Sequence, residues 1–139
     1  ATRVLDELHY VGVLAIEFFV AGDALLANEM APRVHNSGHW TIEGAETSQF
    51  ENHLRAILGL PLGSTTLCGA SAAMINLIGT LPDTTAVLAM PNAHLHLYDK
   101  AARPGRKLGH ITLRVAHREE MNSLIERVRA IYPWGHPDQ

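Results

Sequence analysis

The chain is short of cysteine, of long apolar runs and of net charge, and each shortage excludes a class of protein. Its one cysteine, Cys68, excludes an intramolecular disulfide and a cysteine-based zinc site, and favours a reducing cytoplasm. No apolar run approaches the roughly 20 residues of a membrane helix, and the N-terminus lacks the pattern of a signal peptide. With a formal net charge of -3, the chain has no overall attraction for nucleic acid or anionic membranes. We therefore predict a soluble, cytoplasmic protein that binds neither nucleic acid nor membrane.

The rest of the composition is typical of a folded protein. Hydrophobic residues make up 47% of the chain and charged residues 18%, so enough apolar surface is available to form a core. The first residues, from Ala1 to Leu8, already have a helical pattern, and no methionine precedes them. We interpret the chain as a piece of a longer protein.

Hydrophobic periodicity and turn residues predict the order of the elements. Thr47 or Ser48 is the expected N-cap of the second helix, and Ser48 has Glu51 at the capping-box spacing. Helices are predicted over residues 2–9, 48–58 and 119–132, and strands over 10–20, 25–30, 74–78 (within the segment 68–79), 93–98 and 107–115. Turns are predicted over 21–24 and 100–106, and a polar loop over 33–44. The segment 82–91 is ambiguous and could form a short helix.

This order of elements predicts an α+β fold with antiparallel sheets rather than a doubly wound parallel sheet. The sequence Leu-Pro-Leu-Gly at residues 60–63 is typical of a connector. We therefore expect two regions, residues 1–60 and residues 61–139.

Two glutamates, Glu17 and Glu29, stand in the otherwise apolar strands of the predicted hairpin. A three-residue loop would place them opposite each other on one face of the sheet, where their like charges repel. A divalent cation between them would relieve this repulsion, and magnesium prefers carboxylate oxygens together with phosphate and water. The alternative is that each glutamate faces solvent on a half-exposed antiparallel sheet, which is common. The hairpin pattern alone leaves both interpretations open.

The polar loop that follows Glu29 combines a fixed cation, two imidazoles and an amide. These are Arg33, His35, Asn36 and His39. Such a combination beside a possible metal site is typical of a site that handles anions. Taken one by one, the same residues also fit an ordinary surface loop.

Longer strings of the sequence form a pattern that extends over most of the chain. They comprise residues 10–13, 17–20, 28–33, 35–41, 47–51, 53–56, 74–79, 94–100 and 103–110. Together these strings resemble the 5-(carboxyamino)imidazole ribonucleotide synthase family of ATP-grasp ligases. The stretches Arg33–His39 and Arg103–Lys107 are the most specific, whereas the pair Asn28–Glu29 is shared more widely among ATP-grasp enzymes.

The resemblance implies a fold, a reaction and a set of residue roles. Residues 1–60 would form the C-terminal portion of an ATP-grasp domain, and residues 61–139 a small antiparallel C-terminal domain. The parent enzyme would use ATP and bicarbonate to form carboxyphosphate, whose carboxyl group passes to 5-aminoimidazole ribonucleotide in de novo purine biosynthesis. The implied roles are magnesium binding for Glu17 and Glu29, contact with ATP for Asn28 and Glu29, catalysis for Arg33, His35, Asn36 and His39, and binding of substrate phosphate for Lys100, Arg106 and Lys107.

One position departs from the wider ATP-grasp pattern. Many members carry Glu-x-Asn, in which the asparagine is a further metal ligand, whereas position 31 is alanine here. As the resemblance implies, alanine is usual in this branch, and water is expected to supply the missing ligand.

The resemblance covers only the C-terminal part of a longer enzyme, so we expect the chain alone to be inactive. Faces that pack on the missing part would be exposed, which favours self-association, for example as a homodimer. Two alternatives are a non-catalytic binding or assembly module and a sibling ATP-grasp enzyme, such as formate-dependent glycinamide ribonucleotide transformylase or biotin carboxylase. The intact Glu17, Glu29 and Arg33–His39 argue against the first alternative, and the string at residues 35–39 argues against the second.

Overall fold

The computed structural model describes residues 1–133, and the chain divides into two compact units, Ala1–Thr66 and Leu67–Gln139. The end of the predicted second region, residues 134–139, lies outside the described residues. Both units combine helices with an antiparallel sheet, so the predicted α+β class is confirmed. No helix among the described residues is long and apolar enough to cross a membrane.

The first unit is built around a hairpin flanked by short helices. Its elements are α1 (Thr2–Leu8), β1 (Ala15–Ala21), β2 (Ala24–Ala31), a single 3-10 turn (Asn36–Gly38), α2 (Thr41–Gly44) and α3 (Gln49–Ile57). Of the two predicted caps of α3, Ser48 is the one observed, because its hydroxyl accepts a hydrogen bond from the Glu51 backbone N–H at 3.2 Å. Helix α2 falls inside the segment for which the sequence predicted only a polar loop.

The first strand begins later than predicted, at Ala15 rather than Tyr10. Gly12 has a φ of +135°, which interrupts an extended strand. The next backbone N–H, that of Val13, donates to His53 Nδ1 at 3.0 Å instead of to a neighbouring strand. The prediction of a strand over residues 10–14 is therefore wrong, because a glycine and a side-chain acceptor on α3 fix this segment as a loop.

The hairpin register places the two glutamates opposite each other, as predicted, but not through the predicted loop. Ala21 pairs with Ala24, so the turn consists of the two residues between them. Gly22 is the first of these and has the positive φ, +61°, that this position of a two-residue turn favours. The register then shifts between Glu17 and Phe18. Asn28 is the extra residue of this β-bulge, and the bulge restores the pairing of Glu17 with Glu29.

The second unit is a three-stranded antiparallel sheet covered by helices on one face. Its elements are β3 (Ser71–Ile78), α4 (Thr84–Leu88), β4 (Ala93–Leu97), β5 (Lys107–Val115) and α5 (Glu120–Ile131), and the strand order is β3-β5-β4. Alternate residues of the central strand, Ile111 and Leu113, are fully buried and belong to one core cluster with Leu124 and Val128 of α5. The ambiguous segment forms α4, which is capped by the Asp83 side chain.

Tyr132 ties the end of α5 to the edge of the sheet. Its hydroxyl accepts from the Ile78 N–H at 2.6 Å and donates to the Ile78 carbonyl at 3.0 Å, and the residue is only 3% exposed. Ile78 lies where the β3–β5 register shifts, so these backbone groups lack a regular ladder partner on that side. We expect Tyr132→Phe to lower the free energy of unfolding by about 1–3 kcal/mol, because buried backbone groups lose their partner. Urea denaturation followed by circular dichroism would measure this, and an unchanged midpoint would contradict it.

Candidate functional site

The carboxylates of Glu17 and Glu29 lie on one face of the hairpin, near its junction with the polar loop. Their side chains remain 41% and 47% exposed, so the strong desolvation that an apolar strand suggests does not arise. What remains is the repulsion between two like charges held opposite each other. Groups around the pair offset this repulsion.

His35 is the first of these groups and the most buried. Its Nε2 lies 3.1 Å from Glu29 Oε1 and 3.6 Å from Glu17 Oε1. The other ring nitrogen, Nδ1, accepts from the Ser37 backbone N–H at 3.4 Å and lies 2.8 Å from the Ser37 hydroxyl. Because Nδ1 is an acceptor, Nε2 carries the proton and donates it toward the carboxylates. His35 therefore contacts both carboxylates through the same ring nitrogen.

Two further side chains contact the pair. Asn28, the bulge residue, donates through Nδ2 to Glu17 Oε2 at 3.4 Å. Arg33 places one guanidinium nitrogen 3.9 Å from Glu29 Oε1, and another donates to the Val34 carbonyl at 3.0 Å. The Arg33 side chain is 62% exposed, so most of its hydrogen-bonding fork faces solvent. An anion that approaches the carboxylate pair would therefore meet a fixed positive charge.

The donor set fits a hard divalent cation. Ligand atoms of Glu17, Glu29 and His35 all lie within 4.8 Å of one another, the one such grouping of three metal-ligating side chains within residues 1–133. Carboxylate oxygens suit magnesium, whereas an imidazole nitrogen suits zinc or copper. Since His35 Nε2 donates to Glu29, the carboxylates are the candidate ligands and His35 is a group that orients one of them.

The rest of the loop is held together by hydrogen bonds to α3. Gln49 contacts the backbone of His35 and the ring of His39, and the His39 ring lies 5.1 Å from the Phe50 ring between centroids. Asn36 is partly buried at the start of the single 3-10 turn, and its carbonyl accepts from the His39 N–H at 3.0 Å. The four loop residues singled out in the sequence thus belong to one ordered segment of the first unit.

The three predicted phosphate-binding cations all belong to the second unit. Lys100 and Arg106 lie in the loop between β4 and β5, and Lys107 is the first residue of β5. The Lys100 ammonium lies 5.3 Å from the centre of the Tyr98 ring, which is a cation–π distance. Arg106 donates to the Ala101 carbonyl at 3.3 Å, which curls the loop back on itself.

Sequence reasoning missed two side chains that organise the loop, Ser37 and Gln49. Ser37 falls in the polar loop predicted over residues 33–44, and Gln49 in the helix predicted over residues 48–58, and neither was assigned a role. The available signal for Gln49 was its position, because the first residue of a helix is well placed to bond a preceding loop. Its partners lie up to 14 residues away in sequence, so periodicity could not reveal them.

Comparison with known families assigns a domain to each part of the chain. Residues 1–50 match the ATP-grasp domain, and residues 72–124 match the phosphoribosylaminoimidazole carboxylase C-terminal domain.

Curated relatives and solved structures agree with these matches. The chain is 60% identical over 129 residues to N5-carboxyaminoimidazole ribonucleotide synthase of Pseudomonas aeruginosa, a match that covers 93% of the chain and 36% of the relative. It resembles the crystal structure of the synthetase from Thermus thermophilus with a TM-score of 0.85 and 60% identity, covering 96% of the chain and 38% of that structure. It also resembles the synthase from Aspergillus clavatus in complex with ADP and 5-aminoimidazole ribonucleotide, with a TM-score of 0.73 and 43% identity, covering 86% and 35% respectively. The chain therefore spans about a third of the length of its relatives.

Proposed function

Because the chain belongs to the N5-carboxyaminoimidazole ribonucleotide synthase family of ATP-grasp proteins, we propose that a full-length protein containing it is a carbon–nitrogen ligase. This ligase uses ATP and bicarbonate to convert 5-aminoimidazole ribonucleotide into 5-(carboxyamino)imidazole ribonucleotide in purine biosynthesis. The observation that carries the proposal is the carboxylate pair, with ligand atoms of Glu17, Glu29 and His35 within 4.8 Å, in a chain 60% identical to a named synthase.

The reaction has two steps, and both require charge placed against oxygen anions. A bicarbonate oxygen attacks the γ-phosphorus of ATP, so ADP leaves and carboxyphosphate forms. The exocyclic amine of the ribonucleotide then attacks the carboxyphosphate carbon, phosphate leaves, and the nitrogen loses a proton. Catalysis of phosphoryl transfer depends chiefly on positioning and electrostatic stabilisation, and the exposed guanidinium of Arg33 is suited to both.

Glu17 and Glu29 would hold magnesium, and Asn28 lies beside them as a contact for ATP phosphates. When bound, the cation supplies positive charge against the phosphate oxygens of ATP. His35 fixes the direction of the Glu29 carboxylate through a 3.1 Å hydrogen bond. The proposed site for bicarbonate and carboxyphosphate consists of Arg33, His35, Asn36 and His39.

The test is a product assay on a full-length protein that contains this chain. We expect ADP release to depend on both bicarbonate and 5-aminoimidazole ribonucleotide, with the N-carboxylated ribonucleotide as product. ADP release that requires formate and glycinamide ribonucleotide, or biotin, would instead assign the chain to a sibling ATP-grasp enzyme. Binding of ribonucleotide without any turnover would favour a non-catalytic module.

Lys100 offers a separate prediction about the ribonucleotide. If its ammonium binds the substrate phosphate, as we propose for Arg106 and Lys107 as well, Lys100→Ala removes one charge-assisted contact, worth about 1.5–3 kcal/mol. We expect KM for 5-aminoimidazole ribonucleotide to rise about 10- to 100-fold, while KM for ATP changes little. Arg103→Ala is the matched control, since Arg103 is an exposed cation of the same loop with no assigned role. Equal effects of the two substitutions on KM would contradict the assignment.

Three further properties are proposals of the same kind. The protein is cytoplasmic and uses magnesium with ATP.

It also self-associates, for example as a homodimer, and the exposed apolar side chains of the hairpin support this. Phe18, Phe19, Val20 and Leu25 are 51%, 59%, 77% and 66% exposed. Analytical ultracentrifugation of the chain would test self-association, and a monomer at all concentrations would contradict this proposal.

A further inference from the structure

Gln49, the first residue of α3, has a side-chain amide whose orientation is fixed by the backbone of His35. The His35 N–H donates to Gln49 Oε1 at 3.0 Å, and Gln49 Nε2 donates to the His35 carbonyl at 2.7 Å. A backbone N–H can only donate and a carbonyl can only accept, so exchanging the amide oxygen and nitrogen would break both bonds. The amide is therefore held in one orientation.

The second hydrogen of this amide group points to His39. Gln49 Nε2 lies 2.8 Å from His39 Nδ1. Because the amide nitrogen has no lone pair to accept with, His39 Nδ1 must be the acceptor and cannot carry a proton. A neutral His39 then carries its proton on Nε2, and protonating both nitrogens would set two donors against each other.

The surroundings of Gln49 leave its amide little freedom. If Gly38 were replaced by a residue with a Cβ, that atom would lie 2.6 Å from Gln49 Oε1. The amide therefore packs directly on the backbone of the loop. The Gln49 backbone N–H also donates to the Thr41 hydroxyl at 2.9 Å, and that hydroxyl donates to the Gly38 carbonyl at 2.6 Å. Main-chain and side-chain bonds of one residue thus clamp the segment from His35 to Thr41.

We propose that Gln49 is a positioning residue that locks His39 in the tautomer with its proton on Nε2, so that this ring serves the site as a hydrogen-bond donor. A donor stabilises an oxygen that gains negative charge, such as one of bicarbonate or carboxyphosphate. The tautomer follows from the bonding around Gln49 alone, whereas its use in catalysis rests on the proposed function.

Nitrogen-15 NMR of the histidine side chains in the 139-residue chain tests the tautomer directly. His39→Ala identifies the signals of His39 by their loss. We expect the wild-type His39 Nδ1 to have the shift of an unprotonated ring nitrogen and Nε2 that of a protonated one. The reverse pattern, or a fully protonated ring at neutral pH, would overturn the proposal without the need for any substitution at Gln49.

Gln49→Glu and Asn52→Asp make a matched pair for the second test. Both replace an amide by a carboxylate on α3, and both amides bridge a backbone N–H and carbonyl, since Asn52 does so with Gly63. Only Gln49 also contacts a histidine. We expect Gln49→Glu to move the His39 proton to Nδ1, because a carboxylate accepts, and Asn52→Asp to leave the tautomer unchanged. A tautomer that survives Gln49→Glu in a folded chain would contradict the proposal.

In a full-length protein containing this chain, Gln49→Glu should lower kcat by about 10- to 100-fold, the effect of losing a positioning partner. KM for ATP should change less than about twofold, and Asn52→Asp should retain kcat. A loss of thermal stability with normal kcat would show a merely structural role and overturn the catalytic part. A wild-type protein with no carboxylating activity would instead contradict the proposed function and leave the tautomer result standing.

Discussion

Replacing Glu29 with glutamine is expected to lower kcat/KM of a full-length protein containing this chain by about 10³-fold. Glutamine keeps the shape of the side chain but removes one of the two negative charges that face each other across the hairpin. A bound cation contributes several kcal/mol of charge stabilisation to phosphoryl transfer, and each 1.36 kcal/mol corresponds to about a factor of ten in rate. The loss should be partly recovered at high magnesium concentration, because Glu17, the other proposed ligand, would still attract the cation.

Steady-state kinetics over a range of magnesium concentrations would measure this effect. Glu51→Gln is the matched control, since Glu51 is a half-exposed glutamate of the same unit that pairs with Arg55 on the surface of α3. Exposed pairs of this kind contribute little, so the control should retain full activity. If Glu29→Gln keeps wild-type activity with an unchanged requirement for magnesium, the carboxylate pair is not the metal site.

The hairpin shows why this site was only partly predictable from the sequence. β-Branched and aromatic residues and the Ala-Gly-Asp-Ala turn predicted the hairpin, and the opposition of Glu17 and Glu29 followed from an expected three-residue loop. The actual turn has two residues, and without the bulge at Asn28 the two glutamates would not pair. A bulge is a local packing choice that leaves no periodic signal, so the correct pairing was predicted for an incorrect reason.

The elements of the second unit agree more closely with the predictions made from local sequence. Strand β5 has the predicted bounds, Lys107–Val115, because its core-facing residues alternate and the Pro-Gly turn before it is unambiguous. Helix α5 is likewise set by its apolar periodicity. In the first unit, tertiary bonds override local preference, as for Val13, whose N–H donates to His53 forty residues away. The clamp around His39 is of the same kind, since it depends on a glutamine ten residues after that histidine.

The 139-residue chain by itself is expected to show no ligase turnover above background. It spans about a third of the length of its relatives, so two thirds of a working synthase has no counterpart in it. The carboxylates of the hairpin are 41% and 47% exposed here, so water surrounds the groups that would act on phosphate. Positioning ATP and excluding water supply much of the rate in reactions of this type, through effective molarities of about 10⁵ M and above.

Coupled detection of ADP, with a full-length protein as the positive control, would check this expectation. Supplying the missing part as a separate polypeptide should restore activity only where it assembles with this chain, and Glu29→Gln in the chain should abolish whatever is restored. Restored turnover that is indifferent to Glu29 would arise from a contaminant. Turnover by the isolated chain would mean that the hairpin and its loop suffice for catalysis. That result would contradict the expectation that the remaining two thirds of a synthase is needed to position ATP and exclude water.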